Sequence, residues 1–147
     1  VVVMYDGEVV QIGTPEELFD EPAHTFVGYF IGSPGMNILS SKVKGDVALL
    51  GSHQIKLSHE YHDLDATAEL GIRPEFVTLE TGNKGLPVTV NAVEDIGRFK
   101  IVRASLEGQE VNAVLPEGAP VPAEPNISFE TARINVYENS HLVRKSA

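Results

Sequence analysis

The hydrophobic pattern of residues 1–12 predicts a β-hairpin. The first five residues, Val-Val-Val-Met-Tyr, form an uninterrupted β-prone run, and residues 8–12 form a second one. Asp6 and Gly7 lie between the two runs, and an Asp-Gly pair is typical of a tight two-residue hairpin turn. Two antiparallel strands are therefore expected here.

Two short helices are predicted to follow. Thr14, Pro15 and Glu17 have the spacing of an N-cap, a first-turn proline and a capping-box glutamate, so a helix is expected from there to about residue 19. Pro22 interrupts it, and we interpret His24 as a partly exposed residue at the start of the second helix. That helix has four apolar residues on one predicted stripe: Phe26, Val27, Phe30 and Ile31.

From residue 39 onward the pattern changes to short runs of alternating apolar and polar residues, separated by turn residues. This pattern is typical of a mainly β fold, a small antiparallel barrel or sandwich. The predicted strands cover residues 41–44, 47–50, 54–57, 67–72, 86–94, 99–106, 110–115, 126–131 and 134–137. Prolines between positions 116 and 125 predict an extended connection that crosses the barrel.

Charge separates the two parts of the chain. The 147 residues carry 11 Lys and Arg against 21 Asp and Glu, a net charge of −10, which opposes binding to nucleic acid or anionic lipid. No Lys or Arg precedes Lys42, although acidic residues are frequent in that stretch. The break predicts two parts of different origin, residues 1–38 and residues 39–147.

The sequence also bounds the compartment and the chemistry. It contains no cysteine, which excludes disulfides, thiolate nucleophiles and cysteine-based zinc sites. No apolar run approaches the roughly 20 residues that span a bilayer, and the first residues do not have the pattern of a signal peptide. A cytoplasmic location is therefore expected.

The segment 71–75, Gly-Ile-Arg-Pro-Glu, ends one of the alternating runs. Pro74 has no amide hydrogen for a sheet ladder, so the chain is expected to leave the sheet there. Gly71 permits close packing, and Arg73 and Glu75 are expected to pin the turn through charged hydrogen bonds. We interpret the segment as a structural joint.

Several of these segments resemble one family. Residues 2–19 (Val-Val-Met-Tyr-Asp-Gly-Glu-Val-Val-Gln-Ile-Gly-Thr-Pro-Glu-Glu-Leu-Phe) and 30–37 (Phe-Ile-Gly-Ser-Pro-Gly-Met-Asn) look like the end of the nucleotide-binding domain in MalK-like subunits of carbohydrate-importing ABC transporters. Residues 71–75, with Gly71, Arg73, Pro74 and Glu75, resemble the main motif of the transport-associated OB (TOBE) domain that follows. Residues 93–97, with Glu94 and Gly97, resemble its second motif, a joint between two strands.

The resemblance implies the C-terminal part of such a subunit: the remnant of the nucleotide-binding domain in 1–38 and an OB-like regulatory domain in 39–147. It implies that the parent chain binds and hydrolyses ATP with Mg²⁺ and pairs with a second copy. It also implies membrane subunits and a regulatory protein or small effector as partners, on the inner face of the membrane. The fragment itself has no phosphate loop, signature motif or switch histidine, so no catalytic or cofactor-binding residue is expected in it.

Two other candidates come from residue types alone. His59 and His62 are weak candidates for metal ligands, but their polar, acidic surroundings favour an exposed loop over residues 59–65. Glu94 and Asp95 are adjacent carboxylates, which on a strand point to opposite faces and cannot share one catalytic site unless a bulge intervenes.

A different class of function stays open. Small OB-type barrels bind oxyanions or sugars, and Arg73, Arg98, Lys100 and Arg103 are the cations of the central strands. The alternative interpretation is that these residues are scattered surface cations that serve solubility. The alternative function is thus a small-ligand sensor.

Overall fold

The computed structural model describes residues 1–145, with side chains there except at positions 63 and 65–67. The opening hairpin is as predicted: β1 spans Val2–Tyr5 and β2 spans Glu8–Ile12. Asp6 and Gly7 both have positive φ, 52° and 79°, which is the geometry of a two-residue turn between strands of natural twist.

The helices α1, Pro15–Asp20, and α2, Thr25–Phe30, follow the hairpin. The capping box of α1 is confirmed, because the Thr14 hydroxyl accepts from the Glu17 amide and the Glu17 carboxylate accepts from the Thr14 amide. The apolar stripe of α2 is only partly correct. Val27 is buried with Leu18 and Val3, and Phe26 and Ile31 are partly buried against them, but Phe30 is 65% exposed.

The rest of the chain forms three antiparallel sheets, with the orders β12-β11-β4-β3, β7-β8-β9 and β5-β10-β6. This confirms the mainly β, OB-like class. The strands are β3 (Asn37–Leu50), β4 (His53–Ile72), β5 (Val77–Glu80), β6 (Leu86–Pro87), β7 (Thr89–Asp95), β8 (Phe99–Leu106), β9 (Gln109–Pro116), β10 (Asn126–Phe129), β11 (Asn135–Glu138) and β12 (His141–Leu142). Short 3₁₀ turns cover Pro74–Phe76 and Thr131–Arg133.

One apolar core joins the three sheets. Leu39, Leu70 and Ile72 from β3 and β4 pack with Val102 and Leu106 from β8, and the same cluster extends to strands β5, β9, β10 and β11. The proline-rich stretch 117–125 connects β9 to β10, which lie in different sheets. No helix in the described residues 1–145 is long and apolar enough to span a membrane.

Two predicted breaks in the strands are wrong. Residues 41–44 and 47–50 belong to the single strand β3, because Gly45 adopts a positive φ of 58° and the register with β4 shifts around it without ending the pairing. Residues 59–65 were expected to form a loop and instead lie in β4, where Tyr61 is buried and pairs with Gly45. The prediction was wrong because a strand with many exposed polar residues has the same amino-acid composition as a loop.

Other differences concern short strands. The predicted strand 86–94 is divided between β6 and β7, which belong to different sheets, because Pro87 cannot continue a ladder. Residues 126–131 end as a strand at Phe129. The strands β5 and β12 were not predicted, since four and two residues are too few to show a period.

Two side-chain amides connect β3 to β9. Asn37, which is 5% exposed, donates from Nδ2 to the Asn112 carbonyl over 2.9 Å, and its Oδ1 accepts from the Asn112 amide over 2.8 Å. Gln109 makes the same reciprocal pair with the backbone of exposed Ser40. Each side-chain amide thus makes the two hydrogen bonds, one donated and one accepted, that the backbone of a neighbouring strand would otherwise make. These bonds join strands of two different sheets.

The Asn37→Ala variant should lower the free energy of unfolding by about 2 kcal/mol, since the half-buried backbone amide and carbonyl of Asn112 lose their partners. The matched variant Gln109→Ala should lower it by less than about 1 kcal/mol, because water can reach the Ser40 backbone. Urea denaturation followed by far-ultraviolet circular dichroism measures both. Equal losses for the two variants would contradict the interpretation that the buried Asn37 side chain is the more important connection between β3 and β9.

Candidate functional site

Arg73 lies at the corner where β4 ends and the chain leaves its sheet. Ile72 is the last residue of β4, and Pro74 begins the 3₁₀ turn that follows, as predicted. Only 4% of Arg73 is exposed. The interpretation of Arg73 as a surface cation is therefore wrong, because its side chain turns inward against the opening segment.

The guanidinium of Arg73 contacts both opening helices. Nη1 donates to the Gly28 carbonyl over 2.7 Å and to the Ile31 carbonyl, while Nε and Nη2 donate to the Phe19 carbonyl over 3.3 and 3.2 Å. The same group lies 4.4 Å from the centre of the Phe19 ring, within the range of a cation–π contact. One side chain thus binds backbone at three points of residues 1–38.

These carbonyls lie at the C-terminal ends of the two helices. Phe19 belongs to the last turn of α1, Gly28 to the last turn of α2, and Ile31 is the C-cap of α2. The last carbonyls of a helix have no partner within it and carry the negative end of its dipole. A planar cation with several fixed N–H donors satisfies both helix ends at once.

Glu75 does not pair with Arg73 in the predicted way. It lies exposed on the 3₁₀ turn, and the hydrogen bonds described for Arg73 go to backbone carbonyls. Burial lowers the pKa of the Arg73 guanidinium, and the charges of Glu75 and Asp20 oppose that shift. Arginine titrates so far above neutral pH that the group keeps its charge.

Gly71 supports the same corner through close packing, as expected. A Cβ at this position would lie 2.7 Å from the Met36 thioether and 2.7 Å from the Tyr137 ring. Tyr137 is completely buried, and its hydroxyl donates to the Pro22 carbonyl over 2.7 Å. Burial raises the pKa of Tyr137, so the phenol stays protonated and available as a donor.

Further hydrogen bonds extend this contact between the opening segment and the β11–β12 end of the sheet. The Asn135 side chain donates to the Asp20 carbonyl over 3.0 Å. The Thr25 amide donates to Ser140 over 2.9 Å, and the Leu142 amide donates to Ala23 over 3.0 Å. We refer to these contacts, together with those of Arg73 and Tyr137, as the joint.

The second family motif forms a hairpin, as predicted. β7 ends at Asp95, β8 begins at Phe99, and Gly97 has a φ of +100° between them. Glu94 receives hydrogen bonds from Arg103, which hold the pKa of the Glu94 carboxyl below its usual value. Glu94 is exposed and Arg103 is partly exposed, so water screens the pair and it contributes little to stability.

The two histidine candidates are not brought together. His59 and His62 are exposed residues of β4, and positions three apart on a strand face opposite sides of the sheet. Among the side chains that the structure describes, there is no group of three or more His, Asp or Glu residues that could hold a metal ion.

The joint also includes residues that the sequence did not single out. Asn135 and Tyr137 were both predicted to lie in the strand 134–137, and Phe19 was predicted to lie in a helix. No local pattern indicated the hydrogen bonds that these residues make. The partners are as many as 115 residues apart in the chain. Among the residues of the joint, none is a nucleophile placed beside a base. The joint can hold residues 1–38 and the sheets that follow in one fixed orientation.

Replacing Arg73 should destabilise the protein strongly. Arg73→Met keeps most of the volume but removes the side-chain donor to the Phe19 and Ile31 carbonyls and leaves the Gly28 carbonyl with the Met36 amide alone, so we expect a loss of about 3 kcal/mol in the free energy of unfolding. Arg98→Met, at an exposed cation of the β7–β8 turn, is the matched control and should cost less than about 0.5 kcal/mol. Similar losses for the two variants in chemical denaturation would be evidence against the joint.

Comparison with known proteins assigns the family. A family model of the TOBE domain matches residues 70–126, starting one residue before Gly71. The sn-glycerol-3-phosphate import ATP-binding protein UgpC of Vibrio vulnificus is 35% identical over 111 residues, which cover 74% of this chain and 30% of the relative. The protein named UgpC 2 of Agrobacterium fabrum is 33% identical over 143 residues, covering 93% of this chain and 38% of the relative.

A third relative transports a different solute. The sulfoquinovosyl glycerol transport ATP-binding protein SmoE of Agrobacterium fabrum is 29% identical over 147 residues, covering 94% of this chain and 41% of the relative. The chain therefore spans between 30% and 41% of the length of these relatives. It has a TOBE-domain match and homologues among the UgpC- and MalK-like ATP-binding subunits of ABC importers, and it fits the C-terminal part of such a subunit.

Proposed function

We propose that this chain is the regulatory and dimerising part of an ATP-binding subunit that powers the import of a sugar or a related small solute. The subunit binds and hydrolyses ATP with Mg²⁺ in a domain outside this sequence, on the cytoplasmic face of the membrane. It works as a pair with a second copy, bound to the membrane subunits of the transporter. This part contributes binding free energy between copies and carries out no chemistry itself.

The observation that carries the proposal is the joint. We refer to the three sheets of the OB-like part, residues 39–145, as the barrel. Arg73 and Tyr137 fix the end of the nucleotide-binding domain, residues 1–38, to this barrel through hydrogen bonds that are buried or partly buried. A displacement of the opening helices is therefore transmitted to the barrel without a flexible linker between them. A regulatory domain needs such a connection. Binding of a partner to the barrel must change the conformation of the ATPase domain, and a conformational change in the ATPase domain must likewise reach the barrel.

The outer face of the opening segment supports its place in a larger domain. Four apolar residues of the hairpin are at least half exposed: Val2, Met4, Val9 and Ile12. On α2, the Phe26 ring lies 4.5 Å from Tyr5 and 5.5 Å from Phe30 between ring centres, so three aromatic side chains form a row. An apolar surface of this kind is typical of an interface.

The free edge of the barrel supports the dimerising role. β7 is an edge strand of its sheet, and all of its residues except Val90 are exposed. Val93 and Ile96 at its end are 45% and 50% exposed. An edge strand with unpaired backbone groups and apolar side chains is suited to pairing with another copy of the chain.

The names of the relatives support the class of solute. One group imports sn-glycerol-3-phosphate, and another relative transports sulfoquinovosyl glycerol. Both names contain a glycerol unit, which fits a small polyhydroxylated solute.

A second function, a sensor of small ligands, is favoured by one cavity. A cavity of about 490 Å³ lies between the segment that follows α2 and the β8–β9 hairpin. Its lining includes the Tyr29 ring, Arg103, Glu110 and Asn112, which offer an aromatic face together with hydrogen-bond donors and acceptors. Arg103 already contacts Glu94 and Glu110, so a neutral sugar fits this site better than an oxyanion.

The dimerising role can be tested on the full-length subunit. Deleting the barrel should weaken dimerisation at least tenfold, a change of about 1.4 kcal/mol, as measured by sedimentation velocity. The double substitution Val93→Lys and Ile96→Lys should have a similar effect, while His59→Lys, at an exposed site on β4, should leave the dimer intact. Dimerisation that is unchanged without the barrel, or ATP hydrolysis by residues 1–147 alone, would refute the proposal.

The sensor function predicts a different result. A sugar at 100 times its dissociation constant should add about 2.7 kcal/mol to the stability of the wild-type chain in a thermal-shift screen. Arg103→Ala, which removes a donor from the cavity, should abolish that gain, while Arg98→Ala should preserve it. A flat response to sugars, sugar phosphates, molybdate and sulfate excludes the sensor and leaves the dimerising role untouched.

A further inference from the structure

His24 occupies a special position in the joint. It is the N-cap of α2, and its Nδ1 accepts a hydrogen bond from the Phe26 amide over 3.0 Å. Only an unprotonated Nδ1 can accept this bond, since an imidazolium has donors at both nitrogens. The cap of α2 therefore requires His24 to be neutral.

A second histidine faces the first one across the joint. The His141 ring on β12 lies 5.0 Å from the His24 ring, edge to face, and the two residues also form an isolated backbone bridge. The flanking hydrogen bonds, from Thr25 to Ser140 and from Leu142 to Ala23, hold the strand β12 against the opening segment. A positive charge on both rings would separate elements that these bonds keep together.

The groups packed around His24 itself do not offset a positive charge on its ring. Tyr5 on β1 stacks on the His24 ring at 6.2 Å between centres, and the first turn of α2 has no acidic residue. Glu138 on β11 lies opposite His141 in the strand register, one element further from His24. Burial and the neighbouring His141 together lower the pKa of His24.

We propose that the His24–His141 pair is a pH-sensitive latch between the opening segment and the barrel. At neutral pH His24 is uncharged, caps α2 and packs against His141. Acidification protonates His24, removes the acceptor for the Phe26 amide and places two like charges on opposite sides of the joint. The opening segment then separates from β12, while the barrel core remains folded.

The sign of the pH dependence follows from linkage. Unfolded histidine titrates near about 6.5, and a lower pKa in the folded state means that the unfolded chain binds more protons below that pH. Stability from this group is therefore complete above about pH 6.5 and falls as the pH drops toward the folded-state pKa. The change lies on the acidic side of neutrality.

The latch predicts a local change that amide hydrogen exchange can detect. Protection factors of the Thr25 and Leu142 amides, corrected for the intrinsic pH effect, should fall about threefold to tenfold between pH 7.5 and 5.5, the size expected for loss of a helix cap. Amides of the buried strand β8, such as that of Val102, should keep their protection. The NMR titration of His24 should have a midpoint below the ordinary histidine value of about 6.5.

Matched variants separate the latch from general acid sensitivity. In His24→Asn the amide oxygen can cap the helix at every pH, so the protection of Thr25 and Leu142 should become nearly independent of pH. His141→Gln should raise the titration midpoint of His24, and His59→Gln should behave as the wild type. A His24 midpoint at the ordinary histidine value of about 6.5, or the same acid-induced loss in His24→Asn, would overturn the proposal.

Discussion

The fold depends on one buried cation. The Arg73 guanidinium lies out of water, and the loss of hydration is offset because it donates to backbone carbonyls at the ends of two helices. The dependence is mutual. The short helices α1 and α2 would be marginal by themselves, since helices of this length rarely form in isolation, and Arg73 supplies donors to carbonyls of their last turns and of the α2 C-cap.

This mutual dependence connects the two parts of the sequence. The boundary near residue 38 is visible as a change in charge and periodicity, yet β3 starts at Asn37 and the surrounding contacts are buried. A difference in composition therefore does not imply independent motion here. The division into residues 1–38 and 39–147 stays a prediction about origin, and the joint describes how the two parts are packed.

The features that could be predicted from the sequence are those set by interactions between neighbouring residues. The hairpin turn at Asp6 and Gly7, the capping box of α1 and the end of β4 before Pro74 depend on neighbouring residues, and each was recognised. The resemblance also identified segment 71–75 as a structural corner. Its expected partner was wrong, because a guanidinium reaches carbonyls distant in sequence more favourably than an exposed carboxylate two residues away.

The remainder depends on contacts between distant residues. The polar stretch 59–65 is a strand because β3 pairs with it, and its composition carries no sign of that pairing. The amide of Asn37 and the hydroxyl of Tyr137 act on backbone groups 75 and 115 positions away. No window of sequence contains both members of such a pair.

The span between Pro22 and Tyr137 has a consequence for biosynthesis. The ribosome makes the opening helices first, but the side chains that bind the backbone near their ends come from Arg73, just after β4, and from β11. For more than a hundred residues of translation, the Asp20 and Pro22 carbonyls therefore lack the side-chain donors of Asn135 and Tyr137. The opening segment reaches its final contacts only after β11 has left the exit tunnel.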